Sequence, residues 1–298
     1  MSVLGAVRSR LGHRPSRSTD GRMTLIEHLY EFRSRLLKAL LGVLAGMIVA
    51  FVFYPHIFAV LKAPYCTLDP ARRSIGGHGC NLFQFTIFEG FTVRLRVALL
   101  AGALFSSPVW LYQLWAFIAP GLHRHERRWA VRFVAASVLL FAAGATVAYY
   151  FLRHGLQFLL TIAGGGVEPV IGISSYLSFV STMLVIFGVS FEFPLFVVML
   201  NLAGILSYAR LRSWRRMEIF LVTVFAAVAT PTQDPFSMLG LAIPMWLLYE
   251  VALVIARAHD RRVARRAAAS PYAGLGVDET SPLDTTPSDL GGSAALPR

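Results

Sequence analysis

Charge is scarce in this sequence. Of 298 residues, 15% are charged and 56% are hydrophobic, against about 25% charged in an ordinary soluble domain. So little polar surface cannot clothe a water-soluble globule of this length. Cysteine is nearly missing as well: the chain has 2, too few for a disulfide-rich secreted scaffold. It holds no HExxH, no phosphate-binding glycine loop and no nucleophile elbow, so no motif of covalent chemistry marks it as an enzyme. It also lacks a visible internal repeat, which counts against an inverted-repeat transporter.

What is present is one apolar run after another, at a mean hydropathy of +0.60. About 20 consecutive apolar residues match a ~30 Å hydrocarbon core. The runs predict spans at about 33–54, 90–118, 129–152, 171–206, 215–230 and 236–256. The fold class is therefore an all-α membrane protein with six transmembrane helices, the last two short. Met217 to Ala256 would reach ~60 Å as one helix, about twice the membrane thickness. Thr230-Pro231-Thr232-Gln233-Asp234-Pro235 interrupts it as a turn. Both flanks of that stretch are arginine-rich, which requires an even number of crossings and hence a hairpin. Ile171 to Leu206 would span ~54 Å as a straight helix, so it must tilt or kink, and Pro194 supplies the kink. The stretch from Pro55 to about Glu89, dense in Pro and Gly, reads as a loop without a continuous helix.

The net charge of +12 could point to nucleic acid. Its distribution points elsewhere. Basic clusters abut the apolar runs and alternate with weakly charged loops, which is the positive-inside pattern of a chain whose partner is the lipid bilayer. Both termini are then cytoplasmic. Residues 1–22 read as an uncleaved basic cytoplasmic tail, because the first apolar run is too long for a signal peptide. Residues 23–257 form the transmembrane domain. Residues 258–298 read as a disordered cytoplasmic tail, too poor in large apolar residues to offset ordering entropy. Cys66 and Cys80 both fall in the first outer loop, on the side where a disulfide persists. Two free thiols are the alternative; a zinc site with His78 has poor ligand spacing, so no metal or cofactor is expected.

Two acids sit on the arginine-rich face. Glu31 lies in His28-Leu29-Tyr30-Glu31-Phe32-Arg33-Ser34-Arg35, and Glu126 in His123-Arg124-His125-Glu126-Arg127-Arg128. The plain reading is local pairing, since Glu31 with Arg35 at i,i+4 is worth only ~0.3–0.5 kcal/mol. The sharper one is a pair of anionic sites for a cationic ligand, because a guanidinium binds a carboxylate through two parallel hydrogen bonds. Glu192 lies inside the fourth run, where an ionised carboxylate costs at least ~2.5 kcal/mol unless paired or wetted. It is an interfacial capping acid, the lining of a polar concave face, or the proton or cation site of a secondary transporter or channel. Pro108, Gln113 and Trp115 suit kink and interface roles, and Asp234 suits a turn former. Glu250, and Glu89 with Arg94, read as interfacial pairing or snorkelling.

The segment His28–Arg35 resembles the amino-terminal signature of the TatC family, the signal-receptor subunit of the twin-arginine protein translocase. Similar blocks follow in family order: Ser107-Pro108, Tyr112 to Leu122, His125 to Arg128, Phe187 to Pro194, Ala229 to Asp234, and Leu241 to Pro244. Together they cover roughly Leu25 to Arg257. The resemblance implies a concave, glove-like bundle in the bacterial cytoplasmic membrane. It implies that Glu31 and Glu126 recognise the paired arginines of export signal peptides on folded cargo, with Arg33 and Arg127 in the same patches. Phe32 stands where the family usually has Leu, a change in packing more than in charge. Glu192 would line the concave face, and Gln113 would help to present the loop that bears Glu126. The region of Pro231, Asp234 and Pro244 would dock single-span subunits of the TatA and TatB type. Further copies of the chain and the proton motive force complete the implied machine.

Overall fold

The described residues, 25–68, 80–118, 127–162, 170–231 and 234–269 of a computed structural model, are almost wholly helical. The expected tail at 1–22, Glu126, and the chain beyond 269 lie outside them. In chain order the helices are α1 Leu25–Val52, α2 Tyr54–Cys66, α3 Glu89–Phe105, α4 Ser107–Ile118 and α5 Arg127–Ile162. They continue with α6 Ile173–Ser190, α7 Phe193–Leu202, α8 Tyr208–Ser213, α9 Arg215–Ala229 and α10 Pro235–Ala268. Among the described residues, α1, α5, α6 with α7, and α10 are each long and apolar enough to cross a membrane. The pair α3 and α4 passes the same test, bent by 60°. Six crossings need α9 as well, whose 15 residues rise only ~22 Å.

Prolines set the breaks. Pro108, in the first turn of α4, has no N–H with which to continue α3, and the chain turns at Ser106-Ser107. Backbone opened at membrane depth must find partners inside the protein. Here the Trp110 indole N–H donates to the Ala103 carbonyl at 2.9 Å. Pro194 acts likewise between α6 and α7, where the kink falls at Phe191-Glu192.

The stretch read as a loop from Pro55 starts instead with a helix, α2. Pro55 occupies its first turn, where a missing N–H is no loss. Pro64 lies inside it, and the carbonyl left without a donor, that of Val60, accepts the Tyr149 hydroxyl at 2.9 Å. The Tyr176 hydroxyl donates to the next carbonyl, Leu61, at 2.7 Å. Two tyrosines from α5 and α6 thus hold a helix that its own sequence weakens. Cys66, at the end of α2, is joined to Cys80, with Cα atoms 5.2 Å apart. Phe83 then pairs with the approach to α6: its N–H donates to Ile171 at 3.1 Å, and the Ile173 N–H donates back at 2.9 Å. These parts form the disulfide end of the bundle.

Closing a loop of sequence separation 14 removes about 3 kcal/mol of chain entropy from the unfolded state. Reductant is therefore expected to lower the Tm of the purified protein by several degrees and to leave a Cys66→Ser/Cys80→Ser variant unmoved. An identical response of the two proteins would contradict this.

At the opposite, arginine end, the tail expected from 258 is helical through Ala268. Alanine and arginine favour helix, and Asp260 ties the extension down. Its carboxylate accepts the Asn201 amide at 3.0 Å and the Tyr208 N–H at 2.7 Å. Helix α5 likewise outruns the expected end at 152 and reaches Ile162.

The core centres on α6. Tyr176, Leu177, Val180, Met183, Leu184 and Phe187 are buried at helical spacing. They meet Ala148 and Leu152 of α5, Val93 and Val97 of α3, and Leu241 and Met245 of α10. Lipid tails are as apolar as leucine, so close backbone approach at small residues holds such helices together. Gly46 and Gly102 provide it between α1 and α3, and Gly144 and Gly188 between α5 and α6.

Candidate functional site

The α6–α7 kink places Glu192 where three elements converge. Its Oε2 accepts the Ser137 hydroxyl of α5 at 2.6 Å. Ser137 Oγ in turn accepts the Trp115 indole N–H of α4 at 2.8 Å. Ser137 is 0% exposed and Trp115 4%. Phe133 meets the indole edge-on with ring centroids 4.7 Å apart, so the relay runs through an aromatic wall. Glu192 itself is half-buried, and its Oε1 is buried without a hydrogen-bond partner. One carboxylate oxygen is satisfied by the protein and the other is left to accept.

Gln113, grouped with Glu192 as an intramembrane polar residue, is half-buried two positions before Trp115. That offset turns it to another side of α4, and it takes no part in the relay. Nothing in the sequence singles out Ser137. A lone serine in an apolar helix carries no signal of its own, and its partners lie 22 and 55 residues away. The interface role expected of Trp115 is not what its N–H serves, since it is committed to the relay.

At the arginine end, Glu31 pairs with Arg35 one turn on, as the i,i+4 spacing allows. Both guanidinium contacts, at 2.6 and 3.0 Å, fall on Oε1, which leaves Oε2 without a bond from Arg35. Each side chain of the pair is 25% exposed, so the carboxylate stays reachable. On the same turn, His28 stacks on Phe117 of α4 at 4.5 Å and Phe32 packs on that ring at 5.1 Å. The segment carrying Glu31 is thereby fixed to the last turn of α4. The chain beyond that turn leads to Glu126, which lies outside the described residues, as does the side chain of Arg127. Arg33 is exposed.

Of the docking candidates, Asp234 is fully buried. Its carboxylate caps α10, accepting the Ser237 N–H at 2.7 Å, as an N-cap aspartate does. Pro231 is exposed, and Pro244 lies half-buried inside α10. Glu250 pairs with Arg215 across α9 and α10. Glu218, one turn into α9, is 7% exposed with an unpartnered Oε1. That burial was not legible in an exposed-looking basic flank.

A bundle of apolar helices, with arginines gathered at one end and a carboxylate held by side-chain donors inside, defines a polytopic membrane protein with a polar intramembrane site. Comparison with known proteins gives the family. Residues 27–244 match the family model of the Sec-independent protein translocase protein TatC. The TatC protein of Frankia casuarinae is 57% identical over 269 residues, covering 89% of this chain and 74% of that protein. That of Corynebacterium kroppenstedtii is 38% identical over 300 residues, covering 94% and 72%. A crystal structure of the twin-arginine translocase receptor TatC, in DDM, superposes with a TM-score of 0.65 at 33% identity, over 77% of this chain and 99% of that one. The chain belongs to the TatC family and is a membrane subunit of a Sec-independent protein translocase, a transport component and not a classical enzyme.

Proposed function

We propose that the chain binds twin-arginine signal peptides of folded cargo at its arginine end and organises the partner subunits that carry the cargo across. The observation that carries this reading is the packing of His28 and Phe32 on Phe117. It brings the Glu31 segment against the helix that leads to Glu126, so two acids on separate elements serve one ligand. The Glu31–Arg35 pair is a surface pair of small worth, and an incoming guanidinium can replace it at little cost. Arg33 and Arg127 flank the acids. The arginine end then faces the cytoplasm of a bacterium, with both termini on that side, and the disulfide end faces the oxidising side.

The apolar part of the signal runs along the bundle towards Glu192, whose free Oε1 receives a donor from the signal hairpin or a partner helix. The exposed apolar side chains of α9, among them Phe220, Leu221, Val224 and Val228, offer single-span TatA- and TatB-type subunits a helix to pack on, near Pro231. Further copies of the chain complete the assembly. The proton motive force drives it, at ~2.3 kcal/mol per charge per 100 mV.

The test is the double substitution Glu31→Ala/Glu126→Ala. Loss of two charge-assisted contacts is expected to weaken signal-peptide binding by more than about tenfold and to stop export of a twin-arginine reporter. Binding by the parent should weaken as salt rises. Unchanged crosslinking and export in the double variant would sink the proposal.

A further inference from the structure

The segment from Phe83 to Phe91, at the disulfide end, carries an apolar tip that the translocase reading does not use. Ile87 is 90% exposed and Phe88 80%, with Phe85 and Phe91 at 65% each. The tip is held firmly. The Glu89 carboxylate accepts the Phe85 N–H at 2.6 Å, the Thr86 N–H at 3.2 Å and, from α6, the Ser174 N–H at 3.1 Å. The Gln84 amide donates to the Thr86 carbonyl at 2.8 Å and to that of Ile87 at 3.3 Å. The Phe85 ring lies on Gly172, where an added Cβ would stand 2.6 Å from Cε2. Polar backbone is turned inward and large apolar side chains outward, the reverse of what water selects.

Its depth and its neighbours say what covers it. Arg96, inside α3, reaches to the Ser174 carbonyl at 3.3 Å, and Glu89 meets the N–H of the same residue. Charges from two depths of α3 converge on the first turn of α6, which marks the headgroup level. Phe88, Phe91, Leu95 and Leu99 follow one another along one side of α3 and are exposed by 80, 65, 39 and 50%. The inner half of that stripe belongs to the α3–α4 pair, which is long and apolar enough to cross a membrane. The tip continues the stripe outward. We propose that residues 85–91 form an interfacial wedge, inserting Phe85, Ile87 and Phe88 at the boundary between phospholipid headgroups and acyl chains. The wedge fixes the depth of the disulfide end in the bilayer. Aromatic and large aliphatic side chains favour that boundary.

The test uses Phe88→Cys, Ile87→Cys and, as a depth marker, Leu99→Cys, each spin-labelled in the full chain and diluted in phosphatidylethanolamine–phosphatidylglycerol vesicles. Labels at 87 and 88 should relax faster with oxygen than with a water-soluble nickel chelate, at a depth shallower than the label at 99. Adding Ile87→Asp to Phe88→Cys should shift the balance towards the chelate. Faster relaxation by the chelate in Phe88→Cys would put the tip in water and overturn the proposal. Shielding from both agents, with dipolar broadening between labels, would make a second copy of the chain the occupant and overturn it equally. Neither result touches signal binding at the arginine end, so the two proposals fail separately.

Discussion

Replacing Gly102 with valine is expected to remove most folded protein from detergent extracts, and what remains should melt well below the parent. A Cβ at Gly102 would stand 2.4 Å from the Met47 nitrogen, 2.6 Å from Met47 Cα and 2.8 Å from the Gly46 carbonyl carbon. All three are backbone atoms of α1, which no rotamer change can move aside. The helices would have to separate, and overpacking of this kind costs about 3 kcal/mol or more. Gly46→Ala should fail for the reciprocal reason, since its Cβ would lie 2.7 Å from the Gly102 carbonyl oxygen. Gly90→Ala is the control: its nearest contact, at 3.3 Å, is the amide end of the flexible Gln84 side chain, which need give only a few tenths of an ångström. The yield of monodisperse protein and the Tm measure the outcome; a Gly102→Val protein with the parental Tm would refute it. The effect reaches the candidate site, because α1 carries Glu31 and crosses α3 just before the bend into α4.

That crossing shows how legibility divides between sequence and structure. Gly42 and Gly46 stand four apart in an apolar helix, the spacing of a helix-contact motif. The partners are another matter. Gly42 meets Val109 of α4 and Gly46 meets Gly102 of α3, and nothing local to α1 names either. The breaks at Pro108 and Pro194 could be read directly because a missing N–H is a local fact. The 60° bend between α3 and α4 could not, because packing sets its size. Helix α2 was misread for the same reason. Pro64 argues against a helix, and only Tyr149, far along the chain, supplies the donor that rescues its open carbonyl. Residues 258–268 are helical although poor in large apolar residues, because Asn201 and the Tyr208 N–H anchor Asp260.

At the candidate site, type and position were legible where a residue was costly. An acid in an apolar run announces itself, so Glu192 stood out. Ser137 and the Trp115 N–H, which make that acid tolerable, are ordinary residues in ordinary places. Glu31 was legible as an acid with two available fates. It adopts the local pairing with Arg35 while keeping one oxygen open.

The Ser137 hydroxyl donates to the Glu192 carboxylate at 2.6 Å and also accepts the Trp115 N–H. Ser137→Ala removes the hydroxyl and adds no atom to a fully buried position. Glu192 then loses its hydroxyl donor, and the indole N–H loses its hydroxyl acceptor. Leaving such groups unmatched costs about 1–3 kcal/mol each, so a Tm lower by several degrees is expected, together with loss of export. Glu192→Leu removes the carboxyl group that needs satisfying. Combined with Ser137→Ala it should recover most of the lost stability, because the two effects share one interaction and cannot add. Export should stay absent in the double variant, since the acceptor for a signal or partner donor is gone. Stability and activity thus part company in a single four-protein cycle. If instead the double variant is as unstable as the sum of the singles, the hydroxyl acts elsewhere than on Glu192. If it exports like the parent, Glu192 has no part in passage through the membrane.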